Sequence, residues 1–217
     1  DEVLFDEMLE LSAGGAGVLM SRAVEFGRRF DIPIHVRSSF HDGEGTWIRE
    51  SAMEQAIVSG IAHDRSEAKV TVNRVPDRPG VAAALFGALA EAGVNVDMIV
   101  QNVSHDGSTD ISFTVPRVHA VEAERISKHI AVDIGAQSVD VDTDVAKASL
   151  VGAGMKTHPG VAARVFEAMS AVGINIEMIS TSSIRISCVI RGSQVEAAVK
   201  ALHTAFGPPT TFEEVGA

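Results

Sequence analysis

Tyrosine is absent from these 217 residues, tryptophan occurs once and cysteine once. With no tyrosine and a single tryptophan to stack bases on, and with 18 Lys and Arg against 29 Asp and Glu for a net charge of −11, a nucleic-acid surface is excluded. A lone Cys188 excludes a disulfide framework and a Cys-rich zinc site, and fits a reducing, cytoplasmic setting. No apolar run approaches the roughly 20 residues of a membrane helix. The acidic start, Asp1-Glu2-Val3-Leu4, is no signal peptide, and its lack of Met reads as part of a longer chain. The eight His have no ligand spacing, so no metal is expected. What remains, 46% hydrophobic and 22% charged, is globular.

The chain repeats itself. Shifted by 80 positions, Pro79-Gly80-Val81-Ala82-Ala83 overlies Pro159-Gly160-Val161-Ala162-Ala163. The match continues through Phe86/Phe166, Gly93/Gly173, Asn95/Asn175, Met98/Met178 and Ile99/Ile179, with Asp97/Glu177 conservative. In the first unit, 69–72 reads as a strand and Asp77-Arg78-Pro79-Gly80 as a turn opening a helix. Val81, Leu85, Ala88, Leu89 and Ala92 then follow helical spacing up to Gly93. Strands are expected over 94–104 and 110–115, a helix over 119–130 and a last strand over 137–141. The second unit reads as strand 148–151, helix 161–172, strands 174–180 and 184–190, and helix 194–206. It then ends at Gly207-Pro208-Pro209 without a fourth strand.

An unclaimed strand-like segment, 56–62, precedes the first unit and supplies the missing strand. The expected fold is α+β: two ferredoxin-like βαββαβ units, the first inserted in the second. The boundaries are 65–146 for the first unit and 51–64 plus 147–207 for the second, with an acidic tail over 208–217. Residues 1–50 lie outside the repeat. They offer helices at 6–11 and 18–30 and a strand at 32–37, too little to bury a core.

Some motifs have simpler readings than chemistry. Gly152-Ala153-Gly154 is no dinucleotide fingerprint, because Thr157 stands where the third glycine belongs. Gly14-Gly15-Ala16-Gly17 lacks the Lys-Ser/Thr of a phosphate loop and is a helix break. Cys188 alternates with Ile186 and Ile190 as a packing residue, and Arg28-Arg29 is a surface pair.

The repeated unit resembles the ACT domain, a small amino-acid-binding regulatory module. Four longer stretches resemble the regulatory half of bacterial aspartate kinases, the actinobacterial type above all. They are Asp64-Arg65-Ser66-Glu67-Ala68-Lys69-Val70, Asp97-Met98-Ile99-Val100-Gln101-Asn102-Val103-Ser104, Val151 to Val161, and Ile179-Ser180-Thr181-Ser182-Ser183-Ile184-Arg185-Ile186-Ser187. Residues 5–11 and 34–40 resemble the last helix and strand of that family's catalytic, amino-acid-kinase domain. The resemblance implies feedback control by threonine, lysine or both, a homodimer through the ACT domains and a catalytic α subunit or domain as partner. ATP and Mg would bind in that catalytic portion, with no cofactor and no catalytic residue in this chain. Some family members make a separate β subunit, and Met53 sits where one would begin. The alternative is an ACT-type sensor of another biosynthetic enzyme with a different ligand.

The residue chemistry suits an amino-acid effector. Helix starts after Gly80 and Gly160 offer amides to an α-carboxylate. Asp77, Asp97 and Glu177 offer charge to an ammonium, and Gln101, Asn102, Ser104, Thr181 and Ser182 offer neutral partners. With the resemblance, the candidate effector residues are Asp77, Pro79, Gly80, Val81, Ala82, Asn95, Asp97, Gln101, Asn102 and Ser104 in the first unit. In the second they are Met155, His158, Gly160, Val161, Ala162, Asn175, Glu177, Thr181, Ser182 and Ser183. The family usually carries Glu at the last of these, so Ser183 implies weakened or altered lysine recognition. Val18-Leu19-Met20-Ser21-Arg22 also lacks the family's His-Pro before Arg.

Overall fold

The structure, a computed structural model, describes residues 2–50, 57–102, 107–156 and 158–207. Its core strands follow from period-two patterning. In β5 (Glu67–Pro76), Ala68, Val70 and Val72 point one way into a core, and Glu67, Lys69 and Thr71 point the other way. β5 runs into α3 (Val81–Glu91), β6 (Asp97–Gln101), β7 (Ser108–Pro116), α4 (Ala120–Ile134) and β8 (Ser138–Asp142). These form a four-stranded antiparallel sheet in the order β6-β7-β5-β8, whose helix-covered face is packed with Leu85, Leu89, Phe113, Ala123 and Ile126.

The second unit repeats this with β9 (Val145–Val151), α5 (Val161–Ala171), β10 (Met178–Thr181), β11 (Arg185–Arg191) and α6 (Val195–Phe206). Its fourth strand is β4 (Gly60–Asp64), in the order β10-β11-β9-β4. β4 runs antiparallel to β9, Gly60 opposite Val151 and Asp64 opposite Lys147. The insertion topology read from the repeat is therefore the observed one, but the strand lies further along than 56–62. Ile61 packs toward the core of the second unit, and the pairing runs on through His63 and Asp64. Residue 56 lies outside the described residues, as do Met53 and the tail over 208–217.

Two other expectations shift. The strand expected over 94–104 begins only at Asp97, because Val94 closes the end of α3, its N–H bonding Leu89 O at 2.9 Å. The segment before the repeat does hold a small core. α1 (Phe5–Ala13) and α2 (Ser21–Arg29) pack with a three-stranded sheet of β1 (Glu2–Leu4), β3 (Thr46–Arg49) and β2 (Ile34–Val36) around Phe5, Met8, Val24 and Ile48. Neither β1 nor β3 is legible as a strand, since each is short and β1 pairs parallel with a segment distant in the chain, Glu2 opposite Trp47.

The two ACT-like sheets meet through the faces turned away from α3 and α4 and from α5 and α6. Met98, Val145, Met178 and Val189 form a small apolar cluster there, with Val100 beside it. α1 covers the rest of the second sheet, against β4 and β9.

Candidate functional site

Both repeated turns open a helix in the same way. Gly80 (φ 96°) and Gly160 (φ 94°) are the N-caps of α3 and α5, in the left-handed region that favours glycine. A Cβ built at either would meet nothing within 4 Å, so packing does not demand glycine here; the backbone turn does. Neither helix has a side-chain cap. The first helical bonds start at Ala84 and Arg164, each to its glycine carbonyl, which leaves the preceding amides, including Val81, Ala82, Val161 and Ala162, without helical acceptors. Asp77, Pro79 and Gly80 are exposed, Val81 is buried and Ala82 half-buried. Asp77 is fixed by its N–H to Gly107 O at 3.0 Å. In the second unit His158 and Gly160 are exposed, Val161 and Ala162 are half-buried, and a His158 ring nitrogen lies 2.7 Å from Gly154 O. Met155 packs instead against the core of that unit.

The next strands, β6 and β10, are the outer edges of their sheets. Asn95, Gln101, Asn102, Asn175, Thr181, Ser182 and Ser183 are exposed along them or at their ends. Asn102 O accepts the Thr109 hydroxyl. Ser182 N–H bonds Arg185 O at 2.8 Å, and its hydroxyl accepts Ile184 N–H at 3.3 Å. Ser104 lies outside the described residues. A shallow hollow runs beside α5 over Phe166 and Ser170 to Asn175 and Ile176.

Asp97 and Glu177 turn elsewhere. Met98 takes φ 45° and the β6–β7 register shifts between Asp97 and Val100. Met98 lies in the cluster between the sheets, and Asp97 faces the second unit as well. Lys147, 3% exposed, donates to Asp97 Oδ2 and to Glu67 Oε1, each at 2.9 Å. Glu177 takes Lys69 and, at 2.9 Å, Arg191 Nε. Arg191 also reaches Asp142 at 2.6 Å.

The seam's ionisation follows from competing causes. Burial pushes Asp97 up, but the Lys147 hydrogen bond and charge outweigh it and hold the carboxyl below its ordinary range. Burial likewise pushes Lys147 down, and the Asp97 and Glu67 contacts override it to raise the ammonium. These two repeat-related carboxylates are thus bound into a link between units, while Asp77 stands open at its turn.

Sequence reasoning missed Lys69, Lys147 and Arg191. Lys147 carried a signal: one lysine inside an otherwise uncharged, fully buried strand is tolerated only when paired. Among the described residues no group of His, Cys, Asp and Glu could hold a metal, and no helix is long and apolar enough to cross a membrane.

Residues 70–132 and 149–206 each match the ACT domain family. An aspartate kinase of Pseudomonas fluorescens is 52% identical over 209 residues, 95% of this chain and 51% of that protein. The chain therefore spans about half the length of the curated relatives it matches. The ligand-free regulatory subunit of aspartate kinase from Thermus thermophilus aligns with a TM-score of 0.66 and 41% identity, over 69% of this chain and 99% of that one. An aspartate kinase structure from Synechocystis covers all of this chain, with 40% of its own length, at 38% identity and a TM-score of 0.71.

Proposed function

Because this chain belongs to the aspartokinase family and carries that family's two regulatory ACT domains, we propose that it is a non-catalytic regulatory part that binds threonine, lysine or both. The observation that carries this reading is the doubled helix start. Two uncapped helices follow left-handed glycines with open space beside them, and each lies in a unit whose next strand is an exposed sheet edge. The effector carboxylate would sit on the amides at Gly80 to Ala82, where helix dipole and unpaired N–H groups favour an anion. Its ammonium would face Asp77. The repeat places Thr157 at the equivalent position of the second unit, which brings no charge, and with Ser183 in place of an acid that unit should bind lysine weakly.

The edge strands β6 and β10 leave Ile99 54% and Ile179 43% exposed, which supports a homodimer through the ACT domains. Residues 1–50 are the terminal piece of an amino-acid-kinase domain in this reading. The catalytic partner would supply ATP and Mg binding and phosphorylate aspartate in the cytoplasm, under an effector coupling of about 1–3 kcal/mol. The alternative, a sensor for an unrelated enzyme, is disfavoured by the aspartokinase relatives.

Calorimetry with threonine, lysine and both tests this. Asp77→Ala should cost threonine binding about 1.5–3 kcal/mol, and Ser183→Glu should strengthen lysine binding. Unchanged affinities in both variants would refute the site assignments. Aspartyl phosphate formation by the purified chain would refute the non-catalytic reading.

A further inference from the structure

α1 meets the second ACT domain at one buried carboxylate. Glu7 is 3% exposed, in the first turn of α1. Its Oε2 accepts the Leu4 N–H at 3.0 Å, closing the start of its own helix. Its Oε1 accepts the Ser59 hydroxyl at 2.5 Å, just before β4. The same oxygen accepts the Ala153 N–H at 2.7 Å, at the head of the short 3-10 turn over Ala153–Lys156 that follows β9. None of the ion pairs among the described residues includes Glu7. A carboxylate held under protein by neutral donors alone depends on all of them, because each one lost leaves buried charge less satisfied. The three donors are thereby made interdependent.

A second contact lies nearly one helical turn further along α1. Glu10 pairs with Arg185 at 2.9 Å, with the two side chains 25% and 18% exposed. Arg185 begins β11 directly after Ser183 and Ile184, and Ile184 O accepts the N–H of Gly152 at 2.9 Å. Glu7 and Glu10 therefore both grip the end of the second domain that carries His158, Gly160 and Ser183. The first domain shows no such grip among the described residues. The repeat places Asn73 where the second unit has Ala153, and the Asn73 side-chain amide bonds Ser138 and Asp140 within its own sheet.

We propose that Glu7 is a positioning residue that locks α1 to the 153–156 turn, so that a shift in either is transmitted to the other. The second ACT domain, and not the first, then reports directly to the N-terminal piece. The ligand arm of this inference rests on the effector reading above; the clamp itself does not.

Hydrogen–deuterium exchange of the whole chain tests it. In ligand-free protein, Glu7→Gln should speed exchange over 4–13 and over 153–156 together, by about tenfold. Peptides over 67–76 and 108–116 should stay at wild-type rates and so certify folding. Ser59→Ala is the second variant: Ser59 lies in neither segment, yet its loss should loosen both. If one segment loosens without the other, or neither responds to either variant, the clamp is overturned. With saturating threonine or lysine, wild type should change exchange in both segments and Glu7→Gln in 153–156 only. A ligand response at 153–156 that never reaches 4–13 in wild type also overturns it. If neither amino acid alters exchange anywhere, the effector reading fails while the ligand-free result still decides the clamp.

Discussion

Lys147 reaches from the central strand of the second ACT domain to Asp97 on the edge strand of the first, Nζ to Oδ2 at 2.9 Å. The lysine is buried and the aspartate side chain is 43% exposed, so the pair joins the interior of one domain to the edge strand of the other. Asp97 follows the helix whose start forms the candidate effector turn. The same ammonium holds Glu67, whose other oxygen is buried without a partner among the described residues.

Lys147→Met should destabilise the chain by about 3–5 kcal/mol, because it strands the buried Glu67 carboxylate. The double variant Lys147→Met/Glu67→Gln should recover part of that loss. Urea denaturation of the two variants checks this. A single variant as stable as wild type would mean that the seam carries no structural weight.

The same contacts set two limbs of the stability–pH curve. Asp97, held below its ordinary 3.8, contributes stability that is full above that value and lost as pH falls through its lowered one. Lys147, raised above its ordinary 10.5, contributes stability that is full below that value and lost as pH rises through its raised one. Denaturation midpoints across the acid and alkaline ranges should show both limbs, flatter in Lys147→Met. The acid limb is the shallower, since water screens the half-exposed Asp97.

Gly15→Ala and Gly80→Ala separate two uses of glycine. At Gly15, φ is 103° and a Cβ would lie 2.2 Å from the His63 carbonyl oxygen. Backbone strain of about 1–3 kcal/mol is joined there by a clash that lifts α1 from β4. At Gly80 only the backbone preference opposes alanine, at about 1–2 kcal/mol. Thermal unfolding should therefore fall further for Gly15→Ala, while Gly80→Ala stays folded and, under the proposed function, binds threonine more weakly.

Cys188 should not react with a thiol reagent at pH 8 in the native chain. It is 1% exposed, and burial pushes its thiol up to about 11. Titration with Ellman's reagent should detect no fast thiol until guanidinium unfolds the second domain. Rapid native labelling would contradict this burial.

The duplicated units, their helices and the inserted topology were legible because each rests on local signals: period-two strands, helical apolar spacing and a Pro-Gly turn present in both units. The strand at Gly60–Asp64 could be assigned to the second unit only because that unit lacked one. Its register could not be read, since Ile57, Val58 and Ile61 look equally strand-like in isolation. The glycines that begin α3 and α5 were placed correctly, but their left-handed backbone became visible only in three dimensions.

The sequence by itself determined the two-domain plan, the family and the turns that open α3 and α5, because these depend on close neighbours in the chain or on an internal copy. Tertiary structure alone decided where the charges went. Asp97 and Glu177 read as ligand-facing acids along their strands, yet Asp97 ends on Lys147 of the other sheet, and Glu177 on Lys69 of the other sheet and Arg191 of its own. Glu7, inside the helix expected over 6–11, is buried on the Ala153 amide, far along the chain. The reason is physical: a side chain's direction follows from strand and helix geometry, but its partner is set by which surfaces pack together. Burial then compels each charge to find a counter-charge or a set of donors wherever in the chain one lies.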